Sequence, residues 1–379
     1  MLQVDIRAPS IPREQRVWRL FPGSGYRFMS AFAQQNVGFL DFPGFEFPKG
    51  KLSEAKDLIQ RIAKSEKLAE DLRAQARGAK IKEASGRAPR PTKKRGRNGQ
   101  AIINFYEVAK PGDFVVLPEP LHLSNVWVGR FASPKIVDAF APRYDRVPIP
   151  ARDIDWIGKY PENSVSTGLS KSLRNQHPFT LLERSNHLEV FSLAYGSFVH
   201  GDHHAATVYN DRDDFLDSDA AFLGVISRLA SAAVKSLDES RTNLTPAALL
   251  DVLVREPPIE YTCSQEADIH SPGFTRYISA AIVALVIAAV AAGLVGLSTY
   301  STKETLADDV AKLSFVNSGS NADPQCTARV SEASKRVLLA LGTDRTWALC
   351  EAARNARNRA GMRSSATPIQ KVDPPQSRK

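Results

Sequence analysis

The chain has 379 residues, 43% hydrophobic and 24% charged, an ordinary globular composition that excludes a wholly unfolded protein and leaves room for one or two domains plus a smaller one. The formal charge of +9 favours polyanionic partners, nucleic acid or anionic lipid head groups. Residues 1–22 carry Asp5, Arg7, Arg13, Glu14, Arg16 and Arg19 without an apolar run, so no secretory leader is expected there and the first 270 residues are expected to stay in the cytosol.

From the start of the chain, residues 15–20 pattern as a strand, followed by the turn Pro22-Gly23-Ser24-Gly25, a short helix over 26–34 and a second strand over 37–42. Leu52, Ala55, Leu58, Ile59, Ile62, Leu68 and Leu72 recur at helical spacing and predict an amphipathic helix from Ser53 onward. It leads into 78–100, rich in Lys, Arg, Gly and Pro, which predicts a disordered basic loop. Its cationic end, Lys93, Lys94, Arg95 and Arg97, suits either a solvated linker or an arm that tracks a nucleic-acid backbone with steep salt dependence. Apolar residues over 100–108 run to the turn Lys110-Pro111-Gly112-Asp113, where Asp113 reads as a turn residue and not a catalytic acid. Strand patterns at 114–117, 126–131, 144–149 and 154–157 complete a set of short strands that predicts a curled sheet or partial barrel.

Four ordered segments, VWRLFPGSGYRFMSAFAQQNVGFLDF, IINFYEVAKPGDFVVLP, VWVGRF and RYDRVPIPARDIDWIGKYPENSVSTGLSKSLRN, together resemble the EVE-like members of the PUA-like superfamily over about residues 16–182. These include modified-base-reading modules of bacterial modification-dependent restriction systems. The resemblance is carried most by the stretch from Phe105 through Pro111-Gly112-Asp113 to Val116 and by the segment closing on Asp155-Trp156. It implies an α+β fold, a mixed β pseudo-barrel with flanking helices, and an aromatic pocket that accepts a base taken out of its stack. Trp18, Phe42 and Trp156 are the first choices for that pocket, Tyr26 and Trp127 the second. Asp41 stands where the family carries Gly, and Phe42 where it carries Trp, so a carboxylate at the mouth could accept from an exocyclic amine, or the pocket is altered. Each aromatic equally suits ordinary core packing, Trp127 most of all because it lies inside a strand pattern.

Beyond the resemblance, 188–199 and 205–209 read as strands joined by the turn His200-Gly201-Asp202-His203-His204. A helix runs from a cap at Asp217 and Ser218 to about 237, and another over 246–254. The turn's imidazoles and carboxylates match no metal-ligand spacing, so neither metal nor cofactor is assigned. Residues 164–172 read as a helix start. No phosphate loop, nucleophile elbow or Cys-x-x-Cys is present, so the chain is not expected to be an enzyme.

The run 278–297 is apolar throughout, uncharged, and bracketed by Tyr277 and Tyr300. It matches the thickness of a bilayer and reads as a single span, with a buried core helix as the alternative. As a span it places the N-terminal part in the cytosol and the rest across the inner membrane, where Cys326 and Cys350 could pair while Cys263 stands alone. Small residues at four-residue spacing, Ala288 and Ala292, Ala289 and Gly293, Ala292 and Gly296, suit a close helix pair and hence a homo-oligomer. Helices are expected over 331–341 and 346–359, and disorder over 362–379. The expected organisation is an EVE-like domain at 1–183, a hairpin-and-helix extension at 184–257, a linker at 258–276, the span at 277–300, a small helical region at 301–361 and the tail. The expected function is a membrane-anchored sensor that binds DNA, RNA or a modified nucleotide, in a bacterial anti-phage defence system. The competing expectation is a membrane scaffold that recruits a protein partner and reads no base.

Overall fold

The computed structural model describes residues 2–78, 92–120, 125–144, 146–175, 177–212, 214–239, 255, 257–268 and 273–370. It is a mixed α+β chain in two compact units, Glu14–Ala194 and a discontinuous one made of Met1–Arg13 with Tyr195–Lys379. The first two strands, β1 (Leu2–Asp5) and β2 (Ser10–Ile11), belong to the discontinuous unit. The chain therefore leaves that unit, builds the other, and returns. The expected boundaries at 183 and 257 do not coincide with this division.

The Glu14–Ala194 unit carries β3 (Val17–Leu20), α1 (Met29–Gln35), β4 (Val37–Phe39), α2 (Leu58–Gln75), α3 (Lys93–Ile103), β5 (Phe114–Pro118), β6 (Asn125–Ala139), β7 (Ile149–Pro161), α4 (Thr167–Leu173), β8 (Phe179–Leu181) and α5 (His187–Tyr195). Its six strands form one sheet in the order β4-β7-β6-β5-β3-β8. Only β3 and β5 run parallel. The long β6–β7 ladder shifts register between Val128 and Gly129 and again between Phe131 and Ile136, and extra residues of this kind bend a strand and increase its twist. Trp18, Phe28, Phe32, Phe39, Phe105, Phe131 and Phe179 fill the core on this sheet.

Two polar residues organise that core. Arg152 is 2% exposed. Its Nη1 donates to the carbonyls of Phe105 and Ala109, each at 2.8 Å, and its guanidinium lies 4.0 Å from the Phe131 ring centre. Asp113 sits in the expected turn but does more than turn the chain. Its carboxylate accepts from Gln15 Nε2, the backbone N–H groups of Arg16 and Lys110, and Trp18 Nε1, which ties β3 to the start of β5.

Three expectations change here. The segment 93–103 is helix α3, N-capped by Thr92 Oγ1 accepting from the Arg95 N–H at 3.2 Å. The basic loop thus ends earlier than composition suggests, and residues 79–91 lie outside the described residues. Tyr144 stands in a short 3-10 turn ahead of β7. Most of the strand expected at 188–199 is helix α5, because Val190, Phe191 and Leu193 bury a helical face; Phe114 meets Phe191 with ring centres 4.9 Å apart.

The second unit continues with β9 (Phe198–His200), β10 (His203–Asn210), α6 (Asp217–Asp238), β11 (Ser264–Asp268), β12 (Gly273–Ser279), α7 (Val283–Tyr300), α8 (Leu306–Lys312), β13 (Ser314–Val316), α9 (Pro324–Ala360), β14 (Arg363–Ser364) and β15 (Thr367–Gln370). One sheet has the order β11-β12-β10-β9-β2, with β14 also paired to β10. A second places β1 between β13, parallel, and β15, antiparallel. The helical run of α9 breaks at Gly342, where φ is 69° and ψ 174°, so the two helices expected there are real. The helix expected over 246–254 lies outside the described residues.

Among the described residues two helices, α6 and α7, are long and apolar enough to cross a membrane; 56% and 83% of their most apolar 18 residues are buried inside the folded chain. Residues 277–279, expected to open the span, belong to β12, and Tyr277 is 1% exposed within the core. The small residues of α7 accommodate strands. A Cβ at Gly296 would fall 2.8 Å from Leu2 and 2.9 Å from Pro368, and one at Gly293 would touch Leu313 and Val4. The segment expected as linker contains β11 and β12, and the expected disordered tail forms β14 and β15 through Gln370. Cys326 and Cys350, which could have paired, are free thiols, pushed up to about 11 and about 12 chiefly by burial.

Candidate functional site

In the Glu14–Ala194 unit a cleft of about 720 Å³ opens over Leu40, Asp41 and Phe42, the segment that follows β4. Its walls come from the turn after β3, with Phe21, Gly23, Ser24 and Arg27, and from α2, with Glu66, Lys67, Glu70 and Arg73. Lys94, Arg95 and Asn98 of α3 close the rim. A volume of this size suits a nucleotide-sized ligand.

At the centre, the Asp41 carboxylate is held by three donors: Arg27 Nη2, Arg73 Nη2 at 3.0 Å and the Tyr144 hydroxyl. Arg73 also donates to the Tyr144 oxygen at 2.8 Å, so guanidinium, phenol and carboxylate form one chain. Burial, then the neighbouring Asp41 charge, pushes the Tyr144 hydroxyl up to about 12. For Arg73, burial works against the charge, but its bond to Tyr144 and the Asp41 charge outweigh it and hold the guanidinium above its ordinary value. Two guanidiniums on one carboxylate leave a net positive charge facing the cleft.

The α3 rim adds to this field. Lys93, Lys94 and Arg95 occupy the first turn of an eleven-residue helix with no acidic residue in that turn, where a cation opposes the helix dipole and an anion is favoured. Arg95 is offset by Glu66, Nε to Oε2 at 2.9 Å, and Glu66 also accepts from Asn98 at 3.0 Å. Lys93 and Lys94 are exposed and face solvent at that positive pole.

Of the residues singled out from sequence, Asp41, Phe42, Lys94 and Arg95 line the cleft. Tyr26 lies beside it between the lining residues Ser24 and Arg27, its φ of 55° in the left-handed region, and meets Phe21 edge-on at 5.8 Å. Trp18 is not a pocket residue: it is 1% exposed, stacks on Phe179 at 4.8 Å and donates Nε1 to Asp113 at 2.9 Å. Trp127 and Trp156 form a separate half-buried pair on β6 and β7, ring centres 5.5 Å apart. Trp127 Nε1 donates to Glu119 at 2.6 Å and Trp156 Nε1 to the Phe32 carbonyl at 3.3 Å. Burial disfavours the Glu119 charge, yet hydrogen bonds from Trp127, Lys159 and Asn125 hold its carboxyl below the ordinary range. Lys93 and Arg97 are exposed on α3 and do not line the cleft. The idea that Asp41 accepts from a base amine meets a carboxylate already engaged by three donors.

Sequence reasoning missed Arg27, Arg73 and Tyr144. The one available signal was Arg73 lying four residues after Ala69, which is 1% exposed, so both share the inward face of α2.

The His200 turn shows no converging ligands: His200 Nδ1 bonds the Ile11 carbonyl at 3.2 Å and Asp202 pairs with Arg13. Among the described residues, no group of three or more His, Cys, Asp or Glu is placed to hold a metal ion.

The chain matches no family model, no curated protein and no solved structure.

Proposed function

We propose that the Glu14–Ala194 unit is a nucleic-acid sensor of the EVE-like, PUA-like kind that binds a strand, or a single nucleotide from it, in the cleft over Asp41 and Phe42. The observation that carries this reading is the placing of Arg27 and Arg73 on one carboxylate at the cleft floor, with the positive N-terminal turn of α3 at its rim. A phosphate oxygen can share those guanidiniums, and the half-buried Phe21 offers apolar surface for a base, while Phe42 is 5% exposed and packs in the core beneath it. The resemblance over 16–182 supports the same ligand class and the same role in defence, although its Trp-lined pocket does not correspond to this cleft.

We read α7 as the central helix of the discontinuous unit and not as a span. A lipid-facing helix needs an apolar outer surface, whereas the outer surface of α7 is taken up by β1, β10, β15, α6 and α9. The chain then needs no bilayer to fold, and the small residues of α7 need no partner helix.

The test is binding of the full chain to short single-stranded DNA and RNA, with and without a modified base, across a salt series. Arg73→Ala should weaken binding about tenfold and flatten the salt slope by roughly one phosphate contact. Binding unchanged by Arg73→Ala would overturn the assignment of this cleft.

A further inference from the structure

The discontinuous unit holds a second cleft, of about 560 Å³, and its lining has one sign of charge. Arg7 reaches it from the segment after β1, Arg357 from the last turns of α9, and Arg363 from β14. No Asp or Glu lines it. Three arginines, Arg7 and the near neighbours Arg357 and Arg363, with no carboxylate among the lining residues, are the donor set for an anion that carries several oxygens.

The neighbours of the arginines narrow the ligand class. Tyr195, Tyr209 and Tyr300 also line the cleft. They give planar, amphipathic faces of the type on which a nucleobase stacks. Arg363 is already arranged in this way: its guanidinium lies 4.2 Å from the Tyr209 ring centre, and its Nε is held by Asp211 at 2.7 Å. Thr299 and Thr367 add hydroxyls suited to a sugar, Thr299 as an acceptor because its own proton goes to the Val295 carbonyl at 3.1 Å.

The other two arginines are uncommitted or weakly so. Arg357 is exposed, and among the described residues no carboxylate pairs with it. Arg7 is paired only loosely with Asp5, at 3.7 Å. Its backbone has a φ of 54°, in the left-handed region where glycine costs nothing and a side chain costs about 1 kcal/mol or more. A cation stands where the backbone would be better served by glycine.

We propose that this cleft is a nucleotide site, taking a free phosphate ester of a base and sugar, separate from the cleft over Asp41. The arginines bind the phosphate and the tyrosines the base. The site would let a small phosphorylated molecule act on the discontinuous unit whatever the other unit binds.

The experiment is isothermal titration of the full chain with AMP, ADP, ATP and their guanine counterparts, with inorganic phosphate and pyrophosphate as probes of the charge alone. The expected result is binding of at least one nucleotide, about tenfold or more tighter than either inorganic anion. Arg357→Ala and Arg7→Gly should each weaken it about tenfold. Arg7→Gly relieves its backbone and should melt no lower than the parent, which separates loss of the site from loss of the fold. In the Arg73→Ala background, which silences the cleft over Asp41, binding of the nucleotide should persist and remain sensitive to Arg357→Ala. No nucleotide binding, equal binding of phosphate and nucleotide, affinity indifferent to both Arg357→Ala and Arg7→Gly, or affinity lost with Arg73→Ala would each overturn the proposal.

Discussion

The Tyr144 hydroxyl stands between Arg73 and Asp41, accepting from Arg73 Nη2 at 2.8 Å and donating to the carboxylate. Asp41 is thus the counter-ion of two arginines, which sets the sign of a first prediction. Asp41→Asn removes one negative charge from between Arg27 and Arg73, so single-stranded oligonucleotides should bind more tightly and with a steeper salt slope. Fluorescence anisotropy across a salt series measures both. Weaker binding would show that the carboxylate itself touches the ligand.

Trp18 should matter to stability and not to ligand. Trp18→Phe keeps most of the stacking on Phe179 but leaves Asp113 without its indole donor, a loss of about 2 kcal/mol for a buried bond to a charged acceptor. Chemical denaturation should register that loss, with oligonucleotide affinity unchanged. Phe42→Ala, in the same core, should likewise cost stability, whereas Phe21→Ala at the cleft wall should lower affinity.

Gly342 interrupts α9 with a backbone that only glycine adopts readily. A Cβ there would meet nothing within 4 Å, so the cost of Gly342→Ala is conformational alone, about 1–3 kcal/mol. A lowered melting temperature checks it. An unchanged one would mean that the helix continues through this point.

His204 gives the discontinuous unit an acid-sensitive element. Burial, the largest influence, lowers its pKa below the ordinary 6.5. The unfolded chain therefore takes up the proton first as the pH falls. The stability contributed by the neutral ring is complete above 6.5 and is lost progressively as the pH drops from there to the folded value. Melting scans at pH 7.5 and 5 should differ more for the parent chain than for His204→Gln.

If α7 is a core helix, the chain overexpressed without detergent should remain in the supernatant after ultracentrifugation. Gly296→Leu should then drive it into the insoluble fraction by forcing Leu2 and Pro368 apart. Parent chain that pellets with membranes and resists alkaline extraction would restore the span.

Sequence patterning served best where an element makes its own contacts. The 217–237 helix, the 114–117 strand and the tight turn at His200 all stand where period and turn chemistry put them. It served worst where distant residues decide the outcome. α7 has the composition of a span because it is buried on every side, and lipid and protein core ask the same of a side chain. α3 contains Gly96 and Gly99, poor helix formers, and is held by its cap and by α2, where Ile62 lies 3.6 Å from the place of a Gly99 Cβ. Residues 363–370 have no strand pattern of their own, because the pairing that makes them strands comes from β10 and β1. At the cleft, Asp41 and Phe42 stood out only through the resemblance, as departures from its Gly and Trp. Arg27 was not, and Arg73 only through its spacing from Ala69 on α2, since little in a single sequence marks which arginines turn inward to one carboxylate.

The position of β1 in the middle of its sheet governs the order in which this protein can be assembled. Asp5 on β1 receives the N–H and the hydroxyl of Ser318, 313 residues downstream, and the other edge of β1 waits for β15. As the chain emerges from the ribosome, β1 is made well ahead of both its partners. Its edges stay open until β13 and β15 follow, an invitation to pair with another nascent chain. The strands of the Glu14–Ala194 unit, β3 to β8, are all made before β13 and β15, so that sheet can close while β1 still lacks both partners.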